Sequence, residues 1–238
     1  QRQMCIRDSS IGLNPFIYDD PNKIAITISA ALKAMYVNAH PEIEDTYREE
    51  YIIQAVENLA IMLKEMYPRL NGGNLPNLED MLKMLTNYSI VEKMCEIMCQ
   101  DPELAEKYSN QITYFKRNFY ENAPGKAITE QYLYLAVSQL DNLLRLPGVK
   151  TILCNRHNNI DFDKALANGE VTFVCTRRGD LGRVSHKAFG LFFLLSMQNA
   201  VLRRPGNENS RIPHFLYIDE FPDFICKDTE ATVSYTHL

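Results

Sequence analysis

Three observations predict an α/β fold that carries a large all-helical insertion. The first is Phe215-Leu216-Tyr217-Ile218 followed at once by Asp219-Glu220. Four apolar residues in a row fit a strand covered on both faces, as in a parallel sheet, here ending in two carboxylates. The second is the order ahead of it: a β-branched run at 171–175, a polar loop, a long apolar helix, then the Phe215 run. Strand, helix, strand at this spacing is a right-handed crossover with parallel strands. The third is helical periodicity through residues 18–150, lying between a strand-like Ile11–Phe16 and a change of habit at about Asn159, as an insertion between strands of one core would.

The two ends are expected to be foreign to the protein. Met4-Cys5-Ile6-Arg7-Asp8 can be written ATG TGT ATA AGA GAC. The reverse complement, GTC TCT TAT ACA CAT, encodes Val233-Ser234-Tyr235-Thr236-His237. The same DNA read on opposite strands resembles the mosaic end of a transposase-type sequencing adapter. Residues 1–9 and 233–238 are therefore set aside. The remainder divides into a core strand at 10–17, the helical insertion at 18–150, and the C-terminal half of the α/β core at 151–232. On this reading the native part is cut at both ends.

The elements follow in order. Ile11–Phe16 reads as a strand leaving the sheet. Asp20-Pro21 opens a helix, with Asp as cap and Pro in the first turn. A second helix spans about residues 42–67 and stops at Pro68. Asn71-Gly72-Gly73-Asn74 is a loop. Asn77 caps a short helix through Leu85, and Ser89 caps another through Cys99. Asp101-Pro102 opens a helix to about Tyr120. Thr129 to Leu146 forms a helix that ends before Pro147-Gly148. Ile160-Asp161-Phe162 precedes a short helix at 164–167. Val171 to Cys175 is a strand, Thr176 to Gly182 a loop, and residues 185–203 a helix. No fixed repeat is present.

Composition narrows the function only modestly. The chain has 25 basic and 30 acidic residues, a net charge of −5. Bulk charge therefore gives no support to non-specific nucleic-acid binding, although a local basic loop is compatible with it. Cys95, Cys99, Cys154, Cys175 and Cys226 are scattered without paired spacing, which suggests a reducing compartment. No run of about 18 apolar residues occurs, so no membrane span is expected in this stretch.

The candidate site lies beyond the Phe215 strand, because ligands of open α/β sheets bind at the carboxyl ends of their strands. Asp219 there is suited to hold Mg²⁺ through its water shell, and Glu220 to orient an attacking water, the Walker B arrangement. Two solvated acids at a strand end are the plain alternative. Arg177, Arg178 and Arg183 on the neighbouring loop are candidates for contact with a phosphate, another subunit or DNA. A solvated loop is the plain alternative for them. Phe221 and Pro222 are expected to pack. Cys95 and Cys99 share a helix face at metal-ligand spacing, but the flanking Met94, Ile97 and Met98 favour core packing. His157, His186 and His214 are isolated and are expected at the surface or capped. Lys116-Arg117 among Tyr114, Phe115, Phe119 and Tyr120 is expected to be a buried aromatic face with solvated bases.

The order of Leu13-Asn14-Pro15-Phe16, helical insert, Ile160-Asp161-Phe162, strand with a Gly-containing loop, apolar helix ending in Arg203-Arg204-Pro205, and Tyr217-Ile218-Asp219-Glu220-Phe221-Pro222 resembles a known family. It is similar to the TraG/TraD-type coupling-protein ATPases of conjugative type IV secretion, within the HerA/FtsK group of DNA-pumping motors. The resemblance is strongest from Asn159 to Phe224, with Asp-Glu-Phe-Pro its most specific part. It implies a RecA-like P-loop core assembled as a homo-hexamer, anchored in the inner membrane through an N-terminal region and facing the cytoplasm. It implies ATP and Mg²⁺ as cofactors. The implied partners are single-stranded conjugative DNA, relaxase and relaxosome proteins, and the secretion channel. No G-x-x-x-x-G-K-S/T phosphate loop occurs in this sequence. The family places that loop upstream of Leu13, so this stretch alone is expected not to hydrolyse ATP. Two alternatives stand beside this reading. One is another HerA/FtsK-type motor, such as the secretion-channel assembly ATPase. The other is a non-catalytic helical adaptor that binds proteins.

Overall fold

The computed structural model describes residues 2–4, 11–39, 46–176, 178–207 and 209–219. It is mostly helical, with 68% of the described residues in helices. Helix α1 spans Pro21–Ala39, α2 Thr46–Leu70, α3 Leu78–Thr86, α4 Tyr88–Gln100, α5 Pro102–Lys107, α6 Ser109–Asn118 and α7 Lys126–Leu144. Helices α8 (Pro147–Leu153), α9 (Phe162–Ala167) and α10 (Arg178–Leu202) follow. Strands β1 (Arg2–Met4) and β2 (Thr172–Val174) pair in parallel, three residues each. Outside the adapter-like first nine residues, β2 is the lone strand among the described residues.

The expected α/β core, a RecA-like sheet interrupted by a helical insertion, is overturned. Phe215 to Ile218 is not a strand. Phe215, Leu216 and Tyr217 are 74%, 41% and 89% exposed, where a core strand would be buried. Val171 and Phe173, expected in the neighbouring strand, are also exposed. The physical reason lies in what α10 packs against. Its apolar residues Phe189, Phe192 and Leu195 are buried in one cluster with Ile24 and Ile28 of α1 and Leu140 of α7. Helices, and not a sheet, thus cover the face that a crossover helix would present to strands. Each fully buried Phe or Leu contributes about 1.5–3 kcal/mol through area removed from water. Phe16, Phe115 and Phe119 occupy the same cluster.

Local chemistry explains the helix ends. Asn77 and Asp80 form a capping box: Asn77 Oδ1 accepts from the Asp80 N–H and Asp80 Oδ2 from the Asn77 N–H, both at 3.1 Å. The cap of α4 is Asn87, whose Oδ1 accepts from the Ser89 N–H at 3.2 Å; Ser89 itself lies inside the helix. Asp101 caps α5. The helix expected over 102–120 is split at Tyr108, whose buried ring sends its hydroxyl to Glu65 Oε2 at 2.7 Å. Pro68 does not stop α2. That helix runs one further turn, and Gly73 N–H donates back to Pro68 O at 2.8 Å across Gly72 at φ 62°. Pro147 starts α8 instead of ending its predecessor, because its missing N–H is harmless at the first helical position. Helix α10 breaks at Gly182, at φ 72°.

Candidate functional site

The described residues do not assemble the expected nucleotide site. Asp219 sits exposed in a turn after half-buried Ile218, while Glu220 lies outside the described residues, as do Arg177, Phe221 and Pro222. Arg178 is exposed at the start of α10, and Arg183 lies in the same helix just past the Gly182 break. The crossover that would bring the arginine loop and the carboxylates to one sheet edge is not formed. Among the described residues, no group of three His, Cys, Asp or Glu side chains is placed to hold a metal ion. The described residues on their own thus do not complete a Mg²⁺-ATP site.

The other residues singled out by sequence sort as follows. Cys95 is buried in the core and Cys99 exposed. Phe115 and Phe119 are wholly buried, with Lys116 and Arg117 exposed beside them. His157 and His214 are exposed, but His186, expected at the surface, is 5% exposed within α10. Arg203, just past the end of α10, meets Asp163 at 3.3 Å and lies 4.9 Å from the centre of the Tyr18 ring. Burial lifts the Tyr18 hydroxyl to about 12, against the opposing pull of that guanidinium.

The most developed polar constellation is at the joint where the helical excursion leaves and returns. Gly12 and Asn159 form an isolated parallel bridge. Gly12 N–H donates to Asn158 O at 2.6 Å, and Ile160 N–H donates to Gly12 O at 2.9 Å. Leu13 N–H donates to Ile152 O at 2.8 Å, and Asn14 N–H to Asn159 Oδ1 at 2.8 Å. The Asn14 side chain, 1% exposed, donates to Pro76 O at 2.9 Å. Asn77 donates to Cys154 O at 3.0 Å. Asp80 accepts from Arg156 at 2.7 Å, and that guanidinium also donates to Leu75 O and stacks 5.0 Å from the centre of the Tyr67 ring. Each buried polar group here has a partner, so the joint is rigidly specified. A groove of about 450 Å³ beside it is lined by Asn77, Glu79, Lys150, Cys154, Arg156 and His157 among others, and not by Asp219 or Arg178. A hydrogen bond from Lys150 holds the Glu79 carboxyl below the usual range. The sequence shows no sign of this joint beyond Leu13-Asn14 and Asn159-Ile160 themselves, because its bonds span 62 to 148 residues (160 − 12).

No family model matches the chain, and no solved structure matches it. The chain is 28% identical over 112 residues to 1-deoxy-D-xylulose-5-phosphate synthase of Halothermothrix orenii. That stretch covers 44% of this chain and 18% of the synthase, so the chain spans under a fifth of that protein's length. A likeness of this extent assigns neither a family nor an activity. Among the described residues no helix is long and apolar enough to cross a membrane.

Proposed function

We propose that the chain is the partner-recognising helical portion of a DNA-delivery ATPase. In this reading the whole protein passes single-stranded DNA, alone or joined to relaxase, into a type IV secretion channel at the cytoplasmic face of a bacterial membrane. The observation that supports it best is the joint at Gly12 and Asn159. Residues between leave and return through one hydrogen-bonded crossing, the form an accessory domain takes when it is set into a larger host protein. The residue order from Leu13 to Asp219-Glu220 adds the resemblance to coupling ATPases. ATP, Mg²⁺, a hexameric ring and a membrane anchor belong to the whole protein, with Asp219 and Glu220 as its proposed magnesium and water residues.

A second reading is a non-catalytic helical adaptor. The exposure of Phe215 and Tyr217 outside any strand favours it. One experiment separates the two. In the full-length protein, Glu220→Gln lowers ATP turnover by about a hundredfold or more while ATP binding persists, as loss of a water-activating carboxylate requires. Unchanged turnover, or a full-length protein that binds no ATP, removes the motor and leaves the adaptor.

A further inference from the structure

The turn between α3 and α4 faces α7 across an open groove of about 440 Å³. Its floor is apolar: Leu85 and Leu133 are buried, and Val137 is half-buried. Two tyrosines stand at its sides. The Tyr88 ring is fixed against Phe119, with centroids 4.6 Å apart, while Tyr134 is 70% exposed. The rim is acidic. Lys126 meets Glu121 at 2.5 Å and Glu130 at 3.8 Å. Two carboxylates against one ammonium leave one negative charge uncompensated on the lining, and Glu92, outside the lining, accepts from the Glu121 N–H at 2.5 Å.

We infer that this groove docks a basic linear segment of a partner protein, with an apolar side chain on the floor and a lysine or arginine at the Tyr134 rim. The inference rests on the reading of the helical part as a partner-recognising domain, and it names the chemistry of that partner. Charge complementarity selects the occupant, because an acidic or neutral segment would leave the surplus negative charge uncompensated. The ring face of Tyr134 is free to take a cation, as aromatic faces do. Glu130, in the longer of the two pairs with Lys126, is the carboxylate most readily released to an incoming cation. An apolar anchor between aromatic walls within a charged rim is also how small interfaces concentrate their binding energy.

The test uses the full 238-residue chain and a fluorescein-labelled heptapeptide alternating lysine and leucine, followed by anisotropy. The control probe alternates glutamate and leucine. The lysine peptide is expected to bind about tenfold tighter than the glutamate peptide, with a gap that narrows as salt rises. Glu121→Gln with Glu130→Gln weakens binding about fivefold, the effect of losing two exposed ion-pair partners. Tyr134→Ala weakens it as well, and Lys126→Gln tightens it by removing the competing ammonium. Glu103→Gln with Glu106→Gln on α5, the same change in net charge elsewhere, leaves it unchanged. All these positions except half-buried Lys126 are exposed, and circular dichroism checks that each variant folds. Equal binding of the two peptides overturns the inference, and so does an equal loss in the α5 control. A groove that fails this test while Glu220→Gln abolishes turnover sinks the inference alone. A groove that passes while turnover is unaffected sinks only the motor.

Discussion

At the scale of single residues, burial rather than sequence spacing decides what the cysteines do. Cys95 is wholly buried in α4, and burial pushes its thiol upward. Cys154 is half-buried and pushed up to about 11, again by burial. Cys99 and Cys175 are exposed. The thiolate is the reactive form, so raised groups are almost wholly protonated and unreactive at neutral pH. Iodoacetamide at neutral pH is therefore expected to label Cys99 and Cys175 first, and Cys95 and Cys154 only after unfolding. Peptide mapping by mass spectrometry reads this out, and equal labelling of all four in the native protein would contradict it. The core packing expected of the Cys95–Cys99 face holds for Cys95, while Cys99 reaches solvent.

At the scale of elements, helix starts were largely legible because they depend on neighbouring residues. Asp20-Pro21, Asn77 and Asp101-Pro102 each open the helix expected of them. The misses have local causes of their own. Asn87 takes the cap expected of Ser89 because it lies immediately before the helix, and Pro147 begins a helix that its reputation as a breaker concealed. Strands were less legible, since a four-residue apolar run does not reveal whether neighbours exist to pair with it. The joint between the entering and returning segments was legible only as a strand-like Ile11–Phe16 ahead of a helical insertion, and its bonds were not. It depends on Gly12, where an added Cβ would lie 2.3 Å from Asn159 Oδ1 and 2.4 Å from Asn155 Cβ. Gly12→Ala is thus expected to force the two segments apart and to cost about 1–3 kcal/mol, the usual range for overpacking. Urea unfolding measures it, and an unchanged midpoint would show that the crossing is not tightly packed.

At the scale of the whole molecule, one apolar cluster unites the helical excursion with α10, and the expected α/β core sheet is absent among the described residues. The candidate carboxylates were legible as a pattern, but their setting was not. An open α/β site needs paired strands to aim its carboxylates, and Asp219 instead follows an exposed segment. The chain closes on itself at Gly12 and Asn159 while Phe215 to Tyr217 remains outside any sheet. Amide hydrogen exchange tests both halves at once. Slow exchange at Gly12, Leu13, Asn14 and Ile160, whose N–H groups are bonded across the joint, together with fast exchange at Phe215, Leu216 and Tyr217, is the predicted result. Protection at 215–217 equal to that at the joint would contradict it and restore a paired core strand.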